Sequence, residues 1–346
     1  MSDGSRDTAT VRRQWRRGLH NGALLGVAAL ALVVFLNLND VSGTGAVLSD
    51  VPAALAVSAA VHLPQIVLTG QAWRVLLPTG RPSAAVMTLL RWYRESANAL
   101  LPAGALVGQA AAARLVVRCG VPGDLAGATA TVDLTMEAAS QFFFTLAGFG
   151  LLLGSRNGNG MAGFAMAGII IAAAGVVGMI ALQRRLPLRH MERATKRLSR
   201  YWPALRPDWV FDFQRALLRL HEERRSLALA FLCHAAAWAL GAVEVAGVLT
   251  LLGHAVTLQD ALIIESLAQA LRNVGFMLPG TAGVQEGAFV AIAALVGVPP
   301  ATALNAALVR RTREVLFGLP GLAAWRRSEG RGFGLAQAYA GAEADK

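Results

Sequence analysis

Arg91-Trp92-Tyr93-Arg94-Glu95-Ser96-Ala97-Asn98-Ala99-Leu100-Leu101-Pro102-Ala103-Gly104 is the stretch that decides how this chain is read. From Ala84 to Leu101 the sequence is apolar in outline, yet it holds Arg91, Arg94 and Glu95. At the centre of an inserted helix those three cost roughly 8 kcal/mol, against a return of about 3 kcal/mol from its Leu, Val and Met residues. Such a helix must face protein or water, not lipid. Pro102 and Gly104 then break it, and it resumes helically to Arg114 and Arg118. Basic residues at both ends put both ends on the cytoplasmic side. Residues 84–118 therefore predict a re-entrant hairpin, because broken backbone at membrane depth needs protein or a wet cavity around it.

Composition agrees. Of 346 residues, 55% are apolar and 15% charged, with mean hydropathy +0.49. A soluble domain carries about 25% charge. A disordered chain, a coiled coil and a typical soluble enzyme are excluded, and an integral membrane protein is expected. The net charge of +11 reads as basic cytoplasmic loops, not as nucleic-acid binding. Cys119 and Cys233 are too few for a disulfide framework or a zinc site.

The rest of the chain extends that topology. A basic N-terminus, 1–18, with Arg12, Arg13, Arg16 and Arg17, precedes an uncleaved first span at Gly22–Leu36. Val51–Leu77 returns inward. Leu125–Leu153 crosses outward and Met161–Leu182 comes back. The most basic stretch follows, Arg184 to Arg200. Trp209, Phe213, Leu217 and Leu220 then recur at helical spacing. The segment 184–225 reads either as an amphipathic helix on an anionic inner leaflet or as a helix packed on the protein. Ser226–Gly253 crosses outward. Residues 258–297 form a second charged, broken helix, with Glu265 and Arg272 before Pro279 and Gly280, and both ends outside. Ala301–Trp325 returns, and 326–346 is a loose cytoplasmic tail. The expected fold is an all-α polytopic protein of the bacterial inner membrane. It has one membrane domain over 19–325, about six spans, two opposed hairpins and both termini inside.

The hairpin tips can be superposed. Leu100-Leu101-Pro102-Ala103-Gly104-Ala105-Leu106-Val107-Gly108-Gln109 resembles Met277-Leu278-Pro279-Gly280-Thr281-Ala282-Gly283-Val284-Gln285-Glu286. Paired broken helices in opposite orientations are the sequence sign of an inverted repeat around a midplane site.

Spacing sorts the intramembrane polar residues into faces. Arg91, Arg94, Glu95 and Asn98 share one side of a helix, as do Asp133, Glu137 and Gln141. Glu265, Gln269, Arg272 and Asn273 repeat the pattern, and Arg310, Arg313 and Glu314 do so again beside Arg311. Glu244, Gln285 and Glu286 add to them. Such stripes must face each other or water. One outcome is a set of neutralising pairs that fixes helix packing. The other is a cavity for an anionic headgroup, for which arginine at every basic position suits bidentate phosphate or carboxylate binding.

Catalytic signals are weak. The six histidines are scattered without metal-ligand spacing, and no P-loop, Rossmann fingerprint or nucleophile elbow occurs. No cofactor or metal is expected. His234, inside a span, reads as a satisfied core histidine.

Four strings carry a family resemblance: Arg91 to Pro102; Val132-Asp133-Leu134-Thr135-Met136-Glu137 with Gln141; Leu278-Pro279-Gly280-Thr281-Ala282-Gly283-Val284-Gln285-Glu286-Gly287; and Arg310-Arg311-Thr312-Arg313-Glu314 with Gly318-Leu319-Pro320-Gly321. They resemble the transmembrane family that includes the flippase half of bacterial lysylphosphatidylglycerol synthase, and more closely its hopanoid-biosynthesis-associated branch, the HpnL type. The resemblance covers about Trp73 to Trp325. It implies a polytopic inner-membrane fold and lipid translocation, without the aminoacyl transferase, which belongs to a soluble domain. Members often carry an acid where this chain has Gln109.

The expected function is a lipid flippase or transporter. Arg91, Arg94, Glu95, Asn98, Asp133, Glu137, Gln141, Arg272, Asn273, Gln285, Glu286, Arg310, Arg313 and Glu314 would form the substrate site. Pro102, Gly104, Pro279, Gly280 and Gly283 would be the breaks that let alternate sides open. Membrane lipids are the expected partners, with the basic segment on the inner leaflet and no nucleic acid. Oligomeric state is open, a homo-oligomer included. Two rivals stand beside this: a membrane-embedded transferase using Glu137 or Glu286 as general base, and a scaffold for lipid-biosynthesis enzymes.

Overall fold

The computed structural model describes residues 50–77, 82–101, 104–154, 173–181, 183, 193, 209–275 and 284–330. The chain divides into two units, Met1–Asp50 and Val51–Lys346, and the architecture below is that of the second. The first expected span, most of Met161–Leu182, nearly all of the basic 184–208 stretch and the tail beyond Gly330 lie outside the described residues. So do Pro102, Pro279, Gly280 and Gly283.

All described elements are helical. In chain order they are α1 (Val51–Arg74), α2 (Ala84–Leu100), α3 (Gly104–Arg118), α4 (Gly123–Gly154), α5 (Trp209–Glu222), α6 (Arg224–Leu251), α7 (Leu258–Gly275), α8 (Val284–Leu295) and α9 (Pro300–Gly330), with a further helical stretch over 173–181. Among the described residues α1, α4 and α6 are long and apolar enough to cross a membrane. At 1.5 Å per residue the 24 residues of α1 cover about 36 Å, more than a hydrocarbon core of roughly 30 Å. The protein is an all-α membrane protein. The 31-residue α9 has the length, but Arg310, Arg311, Arg313 and Glu314 take it out of the apolar class.

Local chemistry sets the boundaries. Ser83 caps α2, its side chain accepting from Val86 N at 3.3 Å. The helix ends at Leu101, which is extended as a residue before proline must be. Beyond α3 and α8 stand Gly120 and Gly297 at φ 88° and 84°, a conformation that favours glycine as a helix C-cap.

Those two caps belong to a longer register. α1 ends at Arg74 and α6 at Leu251; α3 ends at Arg118 and α8 at Leu295; α4 starts at Gly123 and α9 at Pro300. In each pair the second number exceeds the first by 177, as 251 exceeds 74. Gly120-Val121-Pro122 and Gly297-Val298-Pro299 are the same tripeptide at that displacement, and both valines are buried. The hairpin tips matched in the sequence share it too. Helices α1–α4 and α6–α9 are thus two copies of one unit.

Packing follows the same symmetry. α1 lies against α6, α2 packs on α9 as α7 does on α4, and α3 packs on α4 as α8 does on α9. Val57 meets Gly247, Ser58 bonds Glu244 and Gln65 bonds the carbonyl of Ala237. Partner numbers fall along α6 as they rise along α1, so these equivalent spans run antiparallel. The axis relating the copies is therefore perpendicular to the spans, as an inverted repeat requires. Small residues seal the crossings. A Cβ on Gly148 would lie 1.7 Å from Ser266 Oγ, and one on Gly321 would lie 2.0 Å from Ser96 Oγ.

Helix α5 packs on the protein. Leu217 and Leu220 are buried with Ala72, Leu76, Ala128, Val132 and Ala230, and Trp209 stacks on Phe213 beside Gly127. Leu217 and Leu220 thus face protein, while Trp209, Phe211 and Leu218 remain exposed.

Candidate functional site

The charged stripes meet as two separate networks, one in each copy, where a single shared cavity was expected. The first joins α2 to α4. Arg91 Nε donates to Glu95 Oε1 at 2.8 Å, and its Nη2 and Nη1 donate to the two oxygens of Glu137 at 2.7 and 3.3 Å. Arg94 donates to Asp133 Oδ2 at 3.0 Å and to Glu137 Oε2 at 2.5 Å. From α6, His234 Nε2 lies 3.0 Å from Asp133 Oδ1, both side chains fully buried. From α1, His62 Nε2 lies 3.6 Å from Glu95 Oε2. The hairpin keeps α2 in place: a Cβ on Gly104 would fall 1.9 Å from the Ala97 carbonyl oxygen, so α3 starts hard against α2.

The second network joins α7 to α9. Arg310 holds Glu265 bidentately, at 2.6 and 2.9 Å. Glu265 in turn packs against α6 at Gly241, where an added Cβ would lie 2.9 Å from its Oε1. Arg313 donates to Glu244 Oε2 at 2.9 Å, and Ser58 of α1 donates to Glu244 Oε1 at 2.7 Å. Arg272 and Arg311 share Glu314, one oxygen each, at 2.6 and 2.8 Å, and Arg311 Nε stands 3.7 Å from Glu286.

The second network opens onto a cavity. It measures about 50 Å³ and is lined by Arg272, Gln285, Glu286, Phe289, Arg310, Arg311 and Glu314, with Ala268, Gln269 and Ala307. That is room for a few waters or one small polar group. The side chains of Arg272 and Arg311, both lining it, remain about one-third exposed. Each has donors left over after Glu314, which is what gripping an anion requires.

Not every expected residue joins. Asn98 is exposed despite its helical spacing. Gln141 turns along its own helix to Thr145 Oγ1 at 3.2 Å. The side chain of Asn273 lies outside the described residues. Gln109 ties α3 to α4, donating to the Ala130 carbonyl at 2.8 Å. Conversely, Ser58, His62, His234, Glu244, Glu265, Gln269 and Arg311 belong to the networks or the cavity wall but not to the expected site. The displacement of 177 points to none of this set and instead relates members of the expected site to one another. It puts Arg310 on the position of Asp133, Glu314 on that of Glu137 and Arg272 on that of Glu95.

Asp133, Glu137 and His234 each place one donor atom within 4.8 Å of the others, the spread of a metal site. Arg91 and Arg94 already occupy those carboxylates. Two guanidinium groups in contact repel a divalent cation, so the cluster is an ion-pair network rather than a ligand set.

Residues 22–321 match the family described as the lysylphosphatidylglycerol synthase TM region. The chain belongs to this family. No curated protein and no solved structure gives a match. Membership supports a membrane-lipid role. The buried ion networks, the two hairpins and the inverted halves are therefore features of a lipid-handling family's membrane region in this chain.

Proposed function

We propose that the protein is a carrier that moves a lipid with a polar or anionic headgroup across the bacterial cytoplasmic membrane, within the hopanoid-associated branch of its family. The cavity between α7, α8 and α9 carries this reading, because two partly exposed arginines converge there on one shared carboxylate. A headgroup anion entering the cavity takes over the donors now held by Glu314. The inverted halves supply the second requirement of a carrier, two equivalent ways of opening around a midplane. Both termini and the basic 184–200 stretch then lie on the cytoplasmic side, against anionic lipid.

The enzymatic alternative draws less support. Glu137 has both carboxylate oxygens occupied by arginine donors, which leaves it poorly placed to act as a base.

The test is lipid transfer in vesicles of phosphatidylethanolamine and phosphatidylglycerol holding the full chain, followed by chemical reduction of fluorescent headgroup-labelled lipid. Wild type should speed transfer, and Arg272→Ala should fold yet lose at least tenfold of that rate. Equal transfer by a folded Arg272→Ala removes the cavity from the mechanism. A heavier lipid product in mass spectra would instead mark an enzyme.

A further inference from the structure

His62 sits where α1 meets three other helices. Its ring stands edge-on to Phe317 of α9, centroids 5.5 Å apart. Its Nε2 faces Glu95 of α2 at 3.6 Å. Its Nδ1 is 3.0 Å from Gln65 Oε1, and Gln65 Nε2 donates to the Ala237 carbonyl of α6 at 3.2 Å. A backbone carbonyl only accepts, so the Gln65 atom facing Ala237 is the amide nitrogen. The amide oxygen then faces His62, and it also only accepts. Nδ1 must carry hydrogen. In a neutral imidazole that leaves Nε2 a bare lone pair aimed at a carboxylate. Two such acceptors repel, and one proton between them turns repulsion into an ion pair.

Charge counting agrees. Arg91 and Arg94 face Glu95, Asp133 and Glu137, so the first network is short of one positive charge. The second sets Arg272, Arg310, Arg311 and Arg313 against Glu244, Glu265, Glu286 and Glu314 and is balanced. A proton on His62 closes the deficit. His234 is the poorer seat. Its Nε2 serves Asp133, and its buried Nδ1 has no hydrogen-bond partner, so a proton there would strand a cationic N–H. Access differs too: the His62 and Glu95 side chains are 17% and 25% exposed, while those of His234 and Asp133 are fully buried.

We propose that His62 and Glu95 form an exchangeable proton-binding site that makes this protein proton-coupled. With the proton bound, α1 is clasped to the first hairpin. With it lost, Glu95 is repelled from His62 and keeps only Arg91 as its counter-charge. Around His62, α2 presents Glu95 with Arg91 and Arg94 behind it, and α4 presents Asp133 and Glu137 through those arginines. α6 presents His234 and, farther along, Glu244. α9 presents Phe317, with Glu314, Arg313, Arg311 and Arg310 preceding it. Among the described residues only Glu95 reaches His62 within ion-pair distance.

The proton site stands apart from the transport function proposed above, while the coupling rests on it, so the test has two arms. In the first, full-length protein with 15N-labelled histidine, in phosphatidylethanolamine and phosphatidylglycerol nanodiscs, is read by NMR from pH 5 to 9. The His62 signal is assigned by its loss in His62→Gln. The expected ring is doubly protonated at the acid end and keeps hydrogen on Nδ1 when it loses the other. In Glu95→Gln the pH at which that proton is lost should change. A ring that never changes over this range, a neutral form with hydrogen on Nε2, or a titration indifferent to Glu95→Gln overturns the site. In the second arm, vesicles carry a pH step across the membrane. Wild-type lipid transfer should respond to the step and His62→Gln should not. Wild-type transfer blind to the step overturns the coupling. No transfer at all overturns the carrier function, leaving the first arm to decide the proton site.

Discussion

Asp133 stands ten residues into α4 and Arg310 ten residues into α9, equivalent places in the two copies with opposite charge. Each meets counter-charge from the hairpin helix before it, Arg94 on α2 and Glu265 on α7. The two copies thus exchange sign at this place, while Glu137 and its counterpart Glu314 keep theirs.

The bidentate Arg310–Glu265 pair should behave as a buried ion pair. Glu265→Leu or Arg310→Met alone should destabilise the protein by about 3–5 kcal/mol, because the remaining charge loses its partner. The double substitution Glu265→Leu with Arg310→Met should recover most of that loss. Thermal unfolding in detergent, run as a double-mutant cycle, measures it, and additive losses would contradict a direct pair.

Antiparallel packing of α1 on α6 predicts a cross-linking pattern. With Cys119 and Cys233 replaced by Ser, cysteines at Val57 and Gly247 should form a disulfide under mild oxidation. Cysteines at Val57 and Ala237 should not. Those α6 positions differ by ten residues, about 15 Å along a helix, beyond disulfide reach.

Gly148 and Gly321 should not tolerate a methyl group. Gly148→Ala places carbon against Ser266, and overpacking of this kind costs about 1–3 kcal/mol. Ser266→Gly should relieve it. Gly150, on the same helix with open space at its Cβ, should accept alanine at no cost or with a gain of up to about 1 kcal/mol.

The end of α9 beyond Trp325 should loosen in acid. The Arg114 guanidinium beside Glu329 holds that carboxyl below its usual range against a small burial effect, helped by Trp325 Nε1 at 3.2 Å and by Arg118. A lowered carboxylate pKa contributes stability above the ordinary value, near pH 4, and loses it as pH falls through the lowered one. The pair is partly solvated, so its worth is under about 1 kcal/mol. Measured against the intrinsic rate at each pH, hydrogen exchange over 325–330 should rise below about pH 4 in wild type. It should be high and flat with pH in Glu329→Gln.

Much of this fold was legible because breakers and hydropathy are local signals. Pro102 with Gly104 marked the first hairpin, and the cost of Arg91, Arg94 and Glu95 in lipid forced their burial. Partner choice was not legible. Helical spacing put Asn98 on the face of Arg91 and Arg94, but α2 turns it outward, since spacing fixes a direction and not a neighbour. The full repeat was hidden because its charges change sign: Glu95 answers to Arg272 and Asp133 to Arg310, so the most conspicuous residues are those that match worst. The recurring Gly-Val-Pro at 120–122 and 297–299 was the usable sign. His62 was passed over because its role depends on Gln65 fixing the ring's hydrogens, which spacing does not show.

An inverted pair of identical halves would have no front or back, and its two facing states would be equal in energy. Placing an acid in one half where the other has arginine ends that equivalence. For the carrier proposed above, the sign change between Asp133 and Arg310 therefore makes the two facing states unequal before any ligand binds.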